Sequence, residues 1–315
     1  MAGAAVKLTN WGAGPTVEDY LAASGLANKS ELRVGTYAHI PLLAYSEKEK
    51  PTRLADYEGF EIEIIRSLSA YLGFGEESVR LVPTTADERE NDLNSGRVDI
   101  VVATFVMTPE REKALGFAGP YQVTKSEVLV RSDEARDHMT FSDLRDLGPK
   151  KVCTTHNSVS DIALRDHAVE NVDKKRGSEC VKGLLDGKYK AFTLSDLILE
   201  GYRSAHPKDL KRVDLVFEQT YGFGIAVAKK DEKLRQVIGN FLVNSYERGE
   251  SGAWQRAWDK TLSSVFGDRT QPKPNEFIKL RDYRDRIRPP GLGAMSYRIP
   301  VVTSLAPDRG RRRRR

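Results

Sequence analysis

The chain has 315 residues, 39% hydrophobic and 30% charged, with a formal net charge of +5. That length allows two lobes with their own cores, and no run approaches the roughly 18–20 apolar residues that a membrane span requires. Arg309 and Arg311 to Arg315 supply six of the positive charges, one more than the whole excess, so a basic face for nucleic acid on the folded body is not implied.

Residues 1–30 read as a lead-in with one short helix, Val17 to Ala23, capped by Thr16. Met1 to Lys7 holds one late lysine and no apolar segment, so it is not a secretory signal as written. A chain that stays in the cytoplasm and a leader removed or missed both remain open. Organised structure is expected from Leu32, where Leu-Arg-Val-Gly-Thr-Tyr alternates apolar and polar residues and runs into a loop at Pro41. Glu61 to Tyr71 carries Ile62, Ile65, Leu68 and Ser69 at helical spacing, with Gly73 closing the helix. Val79 to Pro83 reads as a second strand and Asp87 to Asn94 as a short amphipathic helix stopped by Gly96. Val98 to Phe105 reads as a continuous apolar strand, the kind buried on both faces of a parallel sheet.

The alternation then repeats. Ser126 to Arg131 is a strand, Phe141 to Leu147 a helix capped by Thr140, Lys151 to Thr155 a strand and Ser158 to Asp166 a helix. Ser178 to Asp186 is a helix, Lys190 to Leu194 a strand, and Ser195 to Tyr202 the helix after it. Tyr221 to Lys229 is a strand and Asp231 to Arg248 a long amphipathic helix. Trp254 and Trp258 stand at i, i+4 and anchor a last helix on a core. Residues 271–315 read as a flexible basic tail, because Pro289, Pro290, Gly291 and Gly293 precede the arginine run. A solvated end is preferred there to a polyanion-binding arm, since such runs bind weakly and without specificity.

Successive α/β units followed by a shorter return predict an α/β fold of two lobes. Lobe one covers 31–122 and 221–270, lobe two covers 123–220, and strands near 119–126 and 217–223 cross between them. Ligands of such sheets collect outside the carboxyl ends of the strands, here in the cleft. Cys153 and Cys180 fit either a bridge or two buried thiols.

These residues resemble a known family. The pieces are Arg33-Val-Gly-Thr, Tyr57-Glu-Gly-Phe-Glu-Ile-Glu-Ile, Leu93-Asn-Ser-Gly-Arg-Val-Asp-Ile-Val-Val-Ala, Thr108-Pro-Glu-Arg-Glu-Lys, Phe117-Ala-Gly-Pro-Tyr, Lys151-Val-Cys, Ser178-Glu-Cys-Val and Tyr221-Gly-Phe-Gly-Ile-Ala-Val. Their order over about residues 31 to 265 is similar to the family 3 solute-binding proteins of polar amino-acid importers, which have the type II periplasmic binding fold. The segments around Cys153 and Cys180 look most like the glutamate-binding subgroup, in which those cysteines pair. The resemblance therefore implies a disulfide and an extracytoplasmic site (cell surface or periplasm).

The resemblance also implies a ligand set. The arginine of the Thr-Pro-Glu-Arg stretch, here Arg111, clamps a ligand α-carboxylate, and a guanidinium presents a planar fork that matches a carboxylate. A surface arginine at a capped helix start is the plainer reading, although a cation there opposes the macrodipole. Thr104, the backbone around Val106, and Ser158 and Val159 at a helix start would complete the cradle, with Tyr37 as an aromatic wall or as ordinary packing. His39 reads as a loop residue. Three positions depart from the family: Val106 stands where Ser or Thr is usual, Val159 where Thr is usual, and Ser195 where an acidic residue holds the α-ammonium. Either Asp196 takes that role through a one-residue shift, or the ligand is not a standard α-amino acid. Ser195 can equally be a helix cap.

The expected function is a binding protein, neither an enzyme nor a nucleic-acid binder, that delivers an amino-acid-like solute to the permease of an ABC importer as a monomer. No cofactor is expected, since metal spacings, phosphate loops and nucleophile–base motifs are missing from the sequence. A sensor module using the same cleft stays open. So does an enzyme on this fold, such as a dehydratase or a transglycosylase, for which only Glu61, Glu63 or Asp196 could serve.

Overall fold

The computed structural model describes residues 15–217, 219–277 and Leu280. The arginine run and most of the expected tail lie outside those residues, as does the lead-in before Pro15.

The lead-in helix α1 (Val17–Ala22) opens on a capping box: Thr16 Oγ1 accepts from the Asp19 N–H while the Asp19 carboxylate accepts from the Thr16 N–H. Strand β1 (Leu32–Thr36) follows, then a small hairpin of β2 (His39–Ile40) and β3 (Ala44–Tyr45). In α2 (Phe60–Tyr71), Ile62, Ile65, Leu68 and Ser69 are all buried, as their spacing requires. Gly73 ends that helix at φ +90°, and the N–H groups of Gly73 and Phe74 reach back to Ala70 and Ser69, a Schellman closure. Strand β4 (Val79–Pro83), helix α3 (Arg89–Asn94), strand β5 (Ile100–Val101) and helix α4 (Pro109–Ala114) complete this half.

Strand β6 (Leu115–Arg131) is 17 residues long. The second half contains β7 (His138–Met139), α5 (Phe141–Asp146), β8 (Val152–Thr155), α6 (Val159–Asp166), β9 (Asn171–Lys174), α7 (Gly177–Leu185), β10 (Ala191–Ser195), α8 (Asp196–Ala205) and β11 (Leu210–Leu215). The chain returns through β12 (Thr220–Ala228) to α9 (Glu232–Glu247) and α10 (Ala253–Thr261).

The strands form one sheet in the order β4-β1-β5-β12-β6-β10-β8-β9, with β11 beside β6 and β7 beside β11. Pairing is parallel within β4-β1-β5 and within β10-β8-β9. The joining strand is β6: residues 115–125 pair with β12, and residues 126–131 pair with β10 and β11. The result is two lobes sharing one backbone ribbon. The Cys153–Cys180 disulfide ties β8 to α7 inside the second lobe. Trp254 and Trp258 stack at 5.1 Å on the face of α10, with Phe60 edge-on to both. The indole N–H of Trp254 donates to the Tyr121 carbonyl of β6, so the last helix is docked on the joining strand.

Two expectations are corrected. The run Val98 to Phe105 is buried but pairs as a strand only at Ile100–Val101. Ala103 and Thr104 bond to side chains instead: Ala103 C=O accepts from Arg89, Thr104 N–H donates to Glu61, and Thr104 takes φ +41°, before the Phe105 carbonyl accepts from the Gly224 N–H. The strand placed at Ser126 to Arg131 is only the last part of β6, because Leu115 to Ala118 and Gln122 to Lys125 before it are also paired.

Candidate functional site

A cavity enclosing about 550 Å³, its mouth included, lies between the lobes. It sits at the carboxyl ends of the strands, where such sheets leave room: Tyr37 just follows β1, Thr155 ends β8 and Ser195 ends β10. Seven of the eight expected site residues line it together, namely Arg111, Val106, Thr104, Tyr37, Ser158, Val159 and Ser195. Asp196 is not among the lining residues. Its carboxylate accepts from the Thr124 hydroxyl at 2.5 Å and from the Leu197 N–H at 2.9 Å, which turns it toward the joining strand.

Arg111 bridges the lobes. It sits in the first turn of α4, where Thr108 Oγ1 accepts its N–H. The guanidinium donates to the Val106 carbonyl at 2.9 Å in lobe one and to the Asn157 carbonyl at 2.8 Å in lobe two. Burial and the neighbouring Arg89 push its pKa down to about 10. Arg89 is buried; it donates to the Ala103 carbonyl at 2.9 Å and the Tyr37 hydroxyl at 3.2 Å. Both guanidiniums lie against Phe105, 3.7 Å (Arg89) and 5.2 Å (Arg111) from its ring centroid. Neither forms an ion pair among the described residues.

The lining thus carries Arg89, Arg111 and, toward the exposed mouth, Lys175, with no aspartate or glutamate. His39 also lines the cavity, and burial followed by Arg176 lowers its pKa to about 4, which keeps it neutral at pH 7. Glu61 stands behind the wall. Its Oε1 accepts from the Thr104 N–H and from the Tyr121 hydroxyl, and burial outweighs those bonds and Arg89 to raise its pKa to about 7. Glu63 faces outward to Lys260 at 2.9 Å, so the two glutamates point apart as their i, i+2 spacing requires.

On the lobe-two side the hydroxyls divide. Ser158 caps α6 by accepting the Asp161 N–H, and Val159 and Ser160 at the start of that eight-residue helix line the cavity with it. Ser195 stands at the helix-cap position of α8 but makes no capping bond. Its Oγ and that of Thr155 are buried and bond to no protein group. Capping therefore does not account for Ser195.

Other contacts cross the cleft. His156, which pairs with Asp173, has Nε2 3.7 Å from Asp87 of lobe one. Gly201 of α8 lies under the β2–β3 hairpin so closely that a Cβ there would stand 2.2 Å from the Pro41 carbonyl oxygen. Arg89, Thr155, Tyr202, His39 and Lys175 are lining residues that the sequence reading did not select. A buried arginine on an amphipathic helix has no local signature, and Tyr202 reads as ordinary core.

Comparison with known proteins places these features in a family. The profile of the bacterial extracellular solute-binding proteins, family 3, matches residues 32–261. The glutamate-binding protein GluB of Corynebacterium efficiens is 27% identical over 206 residues, 63% of this chain and 68% of that protein. GluB of Corynebacterium glutamicum is 26% identical over 267 residues, 82% of this chain and 86% of that one. An ancestral arginine-binding protein bound to glutamine superposes with a TM-score of 0.64 at 26% identity, covering 76% of this chain and 99% of that one.

Proposed function

Because this chain belongs to the bacterial extracellular solute-binding proteins, family 3, we propose that it binds a small carboxylate-bearing solute, an amino acid or a derivative of one, between its lobes and delivers it to an ABC-type importer. The observation that carries this is Arg111, a guanidinium fork at the wall of the inter-lobe cavity that already touches both lobes. A carboxylate entering the cavity meets this fork, Arg89 behind it, and the start of α6 opposite. Binding would close the lobes by bending about β6 and β12, with the boundaries 31–122 plus 221–270 and 123–220 as the moving bodies.

The relatives that bear on this reading are named for glutamate and arginine. The site is proposed to comprise Arg111, Arg89, Thr104, Tyr37, Thr155, Ser158, Val159 and Ser195, acting on the solute by hydrogen bonds and charge with no covalent step. The importer permease is the proposed partner, and an extracytoplasmic location accords with the family. A thermal-shift and calorimetric screen of amino acids and related carboxylic acids tests the reading. A saturable rise in melting temperature with at least one of them is expected, and no response to any of them would end it.

A further inference from the structure

We infer that the solute is a small dicarboxylic acid without an α-ammonium group, such as a 2-oxo or unsubstituted diacid, rather than an α-amino acid. The inference rests on the solute-binding reading above and narrows it.

Charge is the first observation. Arg89, Arg111 and Lys175 line the cavity, and no carboxylate does. The two arginines both lie over the Phe105 ring and form no ion pair among the described residues. Like charges held this close in a partly dry site want anions between them. An ammonium placed there would be desolvated inside a positive field with nothing to pair with, which is the costly arrangement.

The two carboxylates nearest in the chain do not relieve this. Asp196 is engaged by Thr124 and by its own helix start. Glu61 lies behind the Thr104 backbone, committed to Tyr121 and to the Thr104 N–H. Neither lines the cavity.

The second observation is the hydroxyl pair. Ser195 and Thr155 line the cavity at the ends of β10 and β8, and their hydroxyl oxygens are buried and bonded to no protein group. A hydroxyl can donate to a carboxylate or keto oxygen, so these two form the receiving end for the acid's second polar group. Arg111 and Arg89 hold one carboxylate, and Lys175 at the mouth adds charge for the other. The apolar lining residues Leu194, Ile198 and Phe223 suit a short methylene chain.

The test is isothermal titration calorimetry of the intact chain with matched probes: glutamate against glutarate and 2-oxoglutarate, and aspartate against succinate. The acids lacking the ammonium are expected to bind at least ten-fold tighter than their amino partners. Amino acids binding equally well or better would overturn the inference while leaving the solute-binding reading in place. No binding by either set overturns it too, and if the wider screen is also silent the solute-binding reading falls with it. In Ser195→Asp, which sets a carboxylate beside the cavity, the preference should reverse by ten-fold or more. An unchanged preference in that variant, with its fold verified by circular dichroism, would also overturn the inference. Should the variant not fold, the wild-type pairs decide alone.

Discussion

Arg111 of lobe one donates to the Asn157 carbonyl of lobe two at 2.8 Å. One side chain therefore serves the solute and the closure of the cleft at once. Replacing it with methionine keeps the apolar stem and removes both roles. Loss of a charge-assisted hydrogen bond costs about 2 kcal/mol, so Arg111→Met should weaken binding roughly 30-fold. Calorimetry measures this, and affinity within about three-fold of wild type would remove Arg111 from the site.

Gly201 offers a way to oppose closure without touching the solute. A methyl group there would meet the Pro41 carbonyl at 2.2 Å, while alanine is the better helix former by roughly 0.5–1 kcal/mol. Gly201→Ala should therefore leave the solute-free protein as stable as wild type or slightly more so. Its affinity should drop about ten-fold. Unfolding in urea and titration with the solute, run side by side, separate the two effects; a parallel loss in both would mean the clash damages the fold instead.

The buried carboxyl of Glu61 gives the protein a pH signature. Its folded pKa is raised from 4.5 to about 7. Between those values the folded chain keeps a proton that the unfolded chain has released, so this carboxyl's contribution to stability is full below pH 4.5 and declines until about 7. In Glu61→Gln the drop in unfolding free energy between pH 5 and pH 8 should shrink by roughly 2–3 kcal/mol. Identical pH profiles for the two proteins would contradict this assignment.

The Cys153–Cys180 bridge closes a loop with a sequence separation of 27. Chain entropy alone gives such a bridge about 3 kcal/mol. The Cys153→Ala, Cys180→Ala double variant should melt roughly 6–12 °C lower. A reducing agent should lower wild type by a similar amount and leave the double variant where it is, as differential scanning calorimetry would report.

Much of the fold was legible because strong local signals agreed with it. Thr16 and Thr140 cap the helices they were expected to cap, and the Ile62-Ile65-Leu68 stripe is buried. Among the strands that escaped notice, β9 ends the sheet order and holds one apolar residue, Val172, in four, with none of the four fully buried. Such edges look like loops in sequence. Val98 to Phe105 misled for the opposite reason: a buried irregular run and a buried strand have the same composition, and only the side chains of Arg89 and Glu61 decide between them. The site was legible where a motif carried it, as at Arg111. It was not legible at Arg89, whose burial depends on Phe105 and Ala103 from elsewhere in the chain.

Strand β6 has a consequence for how the protein comes apart. Its first eleven residues belong to one lobe's ladder and its last six to the other's, and α10 is pinned to it through Trp254. A slip of one residue in either ladder would turn every later side chain to the wrong face. Neither lobe can melt and leave the other's ladder anchored at both ends. The two should unfold together in a single cooperative transition, as one thermodynamic unit despite their separate cores.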